Sequence, residues 1–195
     1  MAAMAKTSSP APALAPPSAL PRRAGWRDRL RVRRRGVVAG RDVAIGRGVR
    51  FDVAAGGRVE LGDGVALGNG CRFHVAAGAT VVVGPGSWLG ERCVVTAQRS
   101  VAIGARCVLG DEVVLVDTAP VAADVERPLR EQGLRAAPVV VGDGVRIGPS
   151  AALMAGTTIP DGATVDARAT VDPAFRPDPA PRPRARPARG GRAPR

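Results

Sequence analysis

The sequence predicts an all-β fold, a three-sided prism of six coils built from short parallel strands, and three observations carry that prediction. Aliphatic residues precede glycine at six-residue steps, as in Leu61-Gly62 and Leu67-Gly68, Val83-Gly84 and Leu89-Gly90, Ile103-Gly104 and Leu109-Gly110. Two residues before each aliphatic stands another small or apolar one, so every step holds two inward side chains with one outward residue between them. Finally, the chain copies itself: Arg50-Phe-Asp-Val-Ala-Ala-Gly56 returns as Arg72-Phe-His-Val-Ala-Ala-Gly78. Repetition at this spacing is the mark of a solenoid, in which glycine lets the backbone turn each corner.

Taken in order, the inward pairs fill six coils. The first is Val37/Ala39, Val43/Ile45 and Val49/Phe51, and the second Val59/Leu61, Val65/Leu67 and Cys71/Phe73. The third is Val81/Val83, Ser87/Leu89 and Cys93/Val95, and the fourth Val101/Ile103, Cys107/Leu109 and Val113/Leu115. After an interruption come Val139/Val141, Val145/Ile147 and Ala151/Leu153, then Thr157/Ile159, Ala163/Val165 and Ala169/Val171. Charged residues make up 24% of the chain, yet none occupies a paired inward position. That exclusion rules out chance patterning and predicts one rigid domain over residues 37–173.

Outside the prism the composition changes. Residues 1–21 are rich in Ala, Pro and Ser and read as a disordered tail; prolines break every apolar run, which argues against a signal peptide or membrane span. Residues 22–36 set Trp26 and Leu30 one helical turn apart among arginines. Two readings stay open for this basic stretch: a short helix capping the first coil, or an amphipathic anchor making peripheral contact with anionic membrane. Residues 174–195 form a Pro/Arg-rich disordered tail. The formal charge of +12 sits in these ends, because residues 1–36 hold nine basic and one acidic residue and 174–195 hold seven and one. With 3% aromatics there is little to stack on bases, so nucleic acid is an unlikely partner, and the expected compartment is the cytoplasm.

The third corner of each coil differs from the other two. Where those carry glycine, it reads Asp52, His74, Thr96, Val116 and Met154, followed by Val53, Val75, Ala97, Asp117 and Ala155, a second column expected to point outward. Asp117 is the only charge in that second column, and residues 119–138 then leave the register. An excursion of that length from a rigid scaffold points to function. Asp117 is expected either to be partly desolvated and act as a weak base, or to bond loop amides as corner aspartates do. His74, two coils lower, is expected to be an exposed corner residue that reaches chemistry only with help from subunit packing. Cys71, Cys93 and Cys107 fall on inward positions and read as small core residues held as thiols.

These hexads resemble the hexapeptide-repeat acyltransferases, of the maltose, xenobiotic and sugar O-acetyltransferase kind, whose fold is a left-handed parallel β-helix. The resemblance spans about residues 37–171 and implies a homotrimer, an acyl-CoA co-substrate and no metal. The chain's single histidine cannot build a histidine-ligated metal site within one protomer. In many such enzymes an aspartate is followed three residues later by the catalytic histidine; here Asp117-Thr118-Ala119-Pro120 keeps the aspartate and has Pro120 at the histidine position. The loop matches through Arg127, Arg130 and Gln132, which the resemblance assigns to acceptor or loop contacts. Arg146 stands where tryptophan is common, and Asp166 and Arg168 replace glycines near the acyl-CoA-binding run. The implied acyl-CoA contacts are Arg146, Ala155, Gly156 and Arg168, with Asp117 and His74 as catalytic candidates. The expected activity is transfer of an acetyl or other acyl group to a hydroxyl or amine of a small acceptor such as a sugar. The alternative is a scaffold or binding protein whose chemistry went with the histidine.

Overall fold

The computed structural model describes residues 36–120 and 133–173. The expectations for the two tails, the 22–36 stretch and Arg127, Arg130 and Gln132 lie outside the described residues. The first coil consists of β1 (Val37–Ala39), β2 (Ala44–Ile45) and β3 (Arg50–Val53), and the second of β4 (Arg58–Leu61), β5 (Ala66–Leu67) and β6 (Arg72–Val75). The third comprises β7 (Thr80–Val83), β8 (Trp88–Leu89) and β9 (Val94–Ala97), and the fourth β10 (Ser100–Ile103), β11 (Val108–Leu109) and β12 (Val114–Val116). A ribbon of β13 (Thr118–Pro120) and β14 (Leu134–Ala136) follows. The fifth coil is β15 (Val139–Val141), β16 (Arg146–Ile147) and β17 (Ala152–Leu153), and the last β18 (Thr158–Ile159), β19 (Thr164–Val165) and β20 (Thr170–Val171).

Every third strand stacks on its predecessor, giving three six-stranded parallel sheets: sheet 1 from β1 to β18, sheet 2 from β2 to β19 and sheet 3 from β3 to β20. The fold is therefore the all-β left-handed parallel β-helix expected, and the six coils stand about 29 Å tall at roughly 4.8 Å per coil. Of the predicted inward residues, Ala39, Ile45, Val49 and Ala169 are half-buried and the rest fully buried. Phe51 and Phe73 stack with ring centroids 4.9 Å apart.

Two details depart from strict sixes. Successive coils are offset by 22 residues at the start, then 20, and by 18 only at the end. The surplus lies on the third side, where β3, β6 and β9 each run to four residues. As a result Asp52, His74 and Thr96 are strand residues facing outward, while the next column turns inward: Val75, Ala97, Asp117 and Ala155 are all buried. The excursion is also ordered at its base, since β13 and β14 pair antiparallel from Thr118↔Ala136 to Pro120↔Leu134.

Small polar side chains inside the prism satisfy carbonyls of the coil above. Ser87 Oγ donates to Gly104 O at 2.7 Å and accepts from Cys107 N at 2.9 Å. The thiols of Cys71, Cys93 and Cys107 point at the carbonyls of Gly90, Gly110 and Gly142. All three cysteines are free. A hydrogen bond with Cys71, together with burial, pushes the Cys93 thiol well above its ordinary range, and burial raises Cys107, so both stay protonated core residues.

The corner glycines are required by the stacking distance. A β carbon on Gly68 would lie 2.5 Å from Gly90 C in the next coil. The same column ends at Asp166, because Gly148 still has Ala167 and Asp166 above it whereas, among the described residues, no coil stacks on the sixth. Asp166 thus departs from glycine where the steric demand stops.

This register predicts opposite outcomes for neighbouring substitutions. Leu109→Asp places an unpaired carboxylate in the core and should cost several kcal/mol, on the order of 3–5, or unfold the coil. Arg106→Asn, at an exposed corner with φ +54, should shift the melting temperature by little. Equal thermal shifts would disprove the register.

Candidate functional site

The stacking rule breaks once, and Asp117 repairs it. Elsewhere on the third corner, N–H groups of one coil donate to carbonyls of the next, as Ala76 N does to Ala97 O and Thr80 N to Arg99 O. At the third coil those carbonyls are missing, because the chain above has turned into the β13–β14 ribbon. The Asp117 carboxylate takes their place, accepting from Gln98 N at 2.7 Å on Oδ1 and from Arg99 N and Ser100 N at 2.6 and 2.9 Å on Oδ2. Its own carbonyl accepts from Ala137 N at 2.8 Å, which closes the ribbon.

Asp117 is wholly buried, a fuller desolvation than the partial one expected of it, and its carboxylate bonds backbone amides. Among the described residues it is the one buried charge, and the inward pattern does not reveal it because the paired positions lie on the strands. Three directed N–H groups make burial of a carboxylate tolerable.

His74 sits outward on β6, directly above Asp52 of β3 and below Thr96 of β9. Its Nδ1 lies 3.4 Å from Asp52 Oδ2, and both side chains are exposed. The contact turns Nδ1 toward the carboxylate and leaves Nε2 for a reacting group. Sequence reading missed Asp52 as a partner, although both residues stood in one column.

Above His74 the outer face of sheet 3 loses its charge. Val94, Thr96, Val114, Val116, Ala152 and Met154 succeed one another, all half-buried. This uncharged shelf rises three coils, about 14 Å, from His74 to Met154. Along one edge run the left-handed residues of the second corner, Arg92, Glu112, Ser150 and Arg168, with Arg168 at the top. The base of the 119–138 excursion stands at the other edge.

The remaining predicted contacts do not converge on one point within a protomer. Ala155 is buried. Gly156 has φ +83, and a β carbon there would lie 3.2 Å from Pro173 and 3.5 Å from Ala137. Arg146 projects from sheet 2, between Val108 and Thr164, on a different side of the prism from the shelf. Only Arg168 borders it. Among the described residues no group of three or more His, Cys, Asp or Glu side chains is placed to hold a metal ion.

Comparison with known proteins bears on the fold. No protein-family model matches the sequence, and no curated relative does. Among solved structures, a point mutant of AntD, an N-acyltransferase from Bacillus cereus in complex with dTDP and Coenzyme A, is similar. The TM-score is 0.56 at 13% identity, covering 77% of this chain and 80% of that one. AntD in complex with dTDP and 3-hydroxybutyryl-CoA gives a TM-score of 0.50 at 10% identity, covering 71% and 82%. At such identities the likeness is one of fold.

Asp117→Ala would strand three N–H groups that have no other acceptor. A loss of about 3 kcal/mol or more in unfolding free energy is expected, at 1–3 kcal/mol per buried unmet donor. Chemical denaturation measures it; unchanged stability would show that the carboxylate is there for chemistry instead.

Proposed function

We propose that this protein transfers an acyl group from acyl-CoA to a hydroxyl or amine of a small acceptor, with the outer face of sheet 3 as its site. The observation that carries the proposal is the uncharged shelf with a His–Asp contact at one end and Arg168 at the other. Such a face suits a ligand with an apolar thioester arm and a phosphorylated end. Arg168 meets phosphate, for which its forked guanidinium is matched. The similarity to N-acyltransferases that bind CoA and 3-hydroxybutyryl-CoA supports the same reading.

In this scheme the acceptor X–H attacks the thioester carbonyl carbon, and His74 Nε2 takes its proton. The C–S bond then breaks and the proton returns to the departing thiolate, so acyl-X and CoA-SH are the products. Holding the two substrates together supplies most of the acceleration. Asp117 keeps the third coil closed beneath the loop and takes no proton.

We propose a homotrimer in the cytoplasm as the working form. Val38, Val82 and Val140 stand on alternate coils of the outer face of sheet 1, separated by Glu60 and Ala102, at 44%, 37% and 40% exposure, large apolar side chains suited to burial against a second prism. Arg146 then reaches a ligand on sheet 3 only from a neighbouring protomer. A competing reading, a binding scaffold without turnover, is favoured by the openness of His74, whose side chain is 47% exposed.

Calorimetry with acetyl-CoA separates these readings. Binding is expected, with Arg168→Ala weakening it by about 1–2 kcal/mol, roughly tenfold, while His74→Gln leaves affinity unchanged and lowers turnover by about a hundredfold or more. Binding without turnover under any acceptor would support the scaffold; no binding at millimolar ligand would remove both. For the assembly, Val82→Arg should convert a trimer to monomers in sedimentation while the melting of the prism is retained. Sedimentation of the parent protein as a monomer would sink the trimer.

A further inference from the structure

Below the uncharged shelf, the outer face of sheet 3 carries a square of four polar side chains. Arg50 and Asp52 flank the buried Phe51 on β3, and Arg72 and His74 flank the buried Phe73 on β6. The register sets Arg50 under Arg72 and Asp52 under His74. The square therefore measures about 4.8 Å from coil to coil and about 6.6 Å along each strand. One of its columns is cationic, and the other is the His–Asp contact.

The cationic column departs from the pattern of the rest of the prism. Like charges directly opposite on neighbouring strands repel. Among the described strand pairs, Arg50↔Arg72 is the one register position that sets two charges of the same sign together. Arg41, Arg58, Arg92 and Arg106 each have a carboxylate at 2.6–3.8 Å, whereas Arg50 and Arg72, both exposed, have none at ion-pair distance among the described residues. Asp52, two residues from Arg50, lies against His74 Nδ1 instead, at 3.4 Å. Two uncompensated guanidiniums thus stand beside the chain's single histidine.

We propose that Arg50 and Arg72 bind a phosphate group on the acceptor, so that the substrate is a phosphorylated amine or alcohol such as an aminosugar phosphate. The inference rests on the acyl-transfer reading and names its acceptor class. Two guanidinium forks match a dianion in charge and offer paired N–H donors to its oxygens. The Asp52 carboxylate repels the anion from the neighbouring column, which leaves His74 Nε2 for the nucleophile. Phosphate and nucleophile then lie about 6.6 Å apart, a separation that one sugar ring spans. The donor's phosphates are provided for elsewhere. Arg168 stands four coils above Arg72, about 19 Å along the prism, so the thioester comes between two anion-binding ends. A polyanion or membrane surface fits less well, because the column continues upward as Val94, Val114 and Ala152 and its charge stops at two residues.

Calorimetry on the full chain tests this with four separate probes: acetyl-CoA, glucosamine, and glucosamine 1-phosphate and 6-phosphate, in which the amine stands at two distances from the phosphate. At least one phosphorylated amine should bind about tenfold or more tightly than glucosamine. Arg50→Gln and Arg72→Gln should each weaken it about tenfold, with acetyl-CoA affinity unchanged and the melting temperature no lower. Acetyl-CoA binding beside equal affinities for all three amines would overturn the acceptor assignment and spare the transferase reading. Loss of acetyl-CoA affinity in the arginine variants would assign the pair to the donor's phosphates and likewise overturn it. No binding of acetyl-CoA to the parent protein removes the transferase reading and the acceptor role together. Sedimentation with phosphatidylserine vesicles that needs Arg50 and Arg72, without affinity for either small phosphate, would make a membrane the partner instead.

Discussion

The structure depends on one constraint: each coil must present its backbone carbonyls where the coil below presents its N–H groups. Parallel strands stacked at about 4.8 Å satisfy this over the three faces, but corners turn away and leave donors behind. Side chains fill those gaps at regular places. Asp63, Asn69, Asp111, Asp143 and Asp161 each accept an N–H from the corner one coil below, at 2.7–2.8 Å. Asp117 does the same three times over, where a whole corner of carbonyls is missing. A carboxylate in the core wall is thus the condition on which a long loop can leave a solenoid without unravelling the coil beneath.

That constraint separates rigidity from function. Inward positions admit small polar groups where a buried carbonyl needs a donor: a glycine carbonyl of the next coil at Ser87 and the three cysteines, and Val171 O at Thr157. Outward positions are free of the stacking requirement and can vary from face to face. Sheet 1 carries exposed valines, sheet 2 buried alanines beside Trp88, and sheet 3 an uncharged shelf above an Asp–His contact. Three faces of one prism thus differ in chemistry.

The position of His74 illustrates how a solenoid builds a site. Residues 22 apart in sequence become neighbours along one column, so Asp52 and His74 meet without any loop to bring them together. The same geometry separates residues that are close in sequence. Arg146 and Ala155 lie within one coil yet on different sides, and a motif read as a continuous run is divided among sheets and corners.

The sequence by itself determined the fold, because burial on alternate residues and the steric demand for glycine at corners are local requirements that every coil repeats. It determined the paired inward positions of the strands as well, from Val37 to Val171, since a charge at any of those positions would be left without water or partner. Tertiary structure alone decided the direction of the third-corner column and with it the role of Asp117. Whether that side chain faces solvent or three amide groups depends on which carbonyls the next coil withholds, and that is fixed by where the excursion departs. It also decided that Asp166 is a terminus effect, that Gly156 is packed between Ala137 and Pro173, and that Arg146 and Arg168 belong to different parts of the prism. These are facts about neighbours one coil away, separated in the chain by 18 to 38 residues, and no local pattern encodes them.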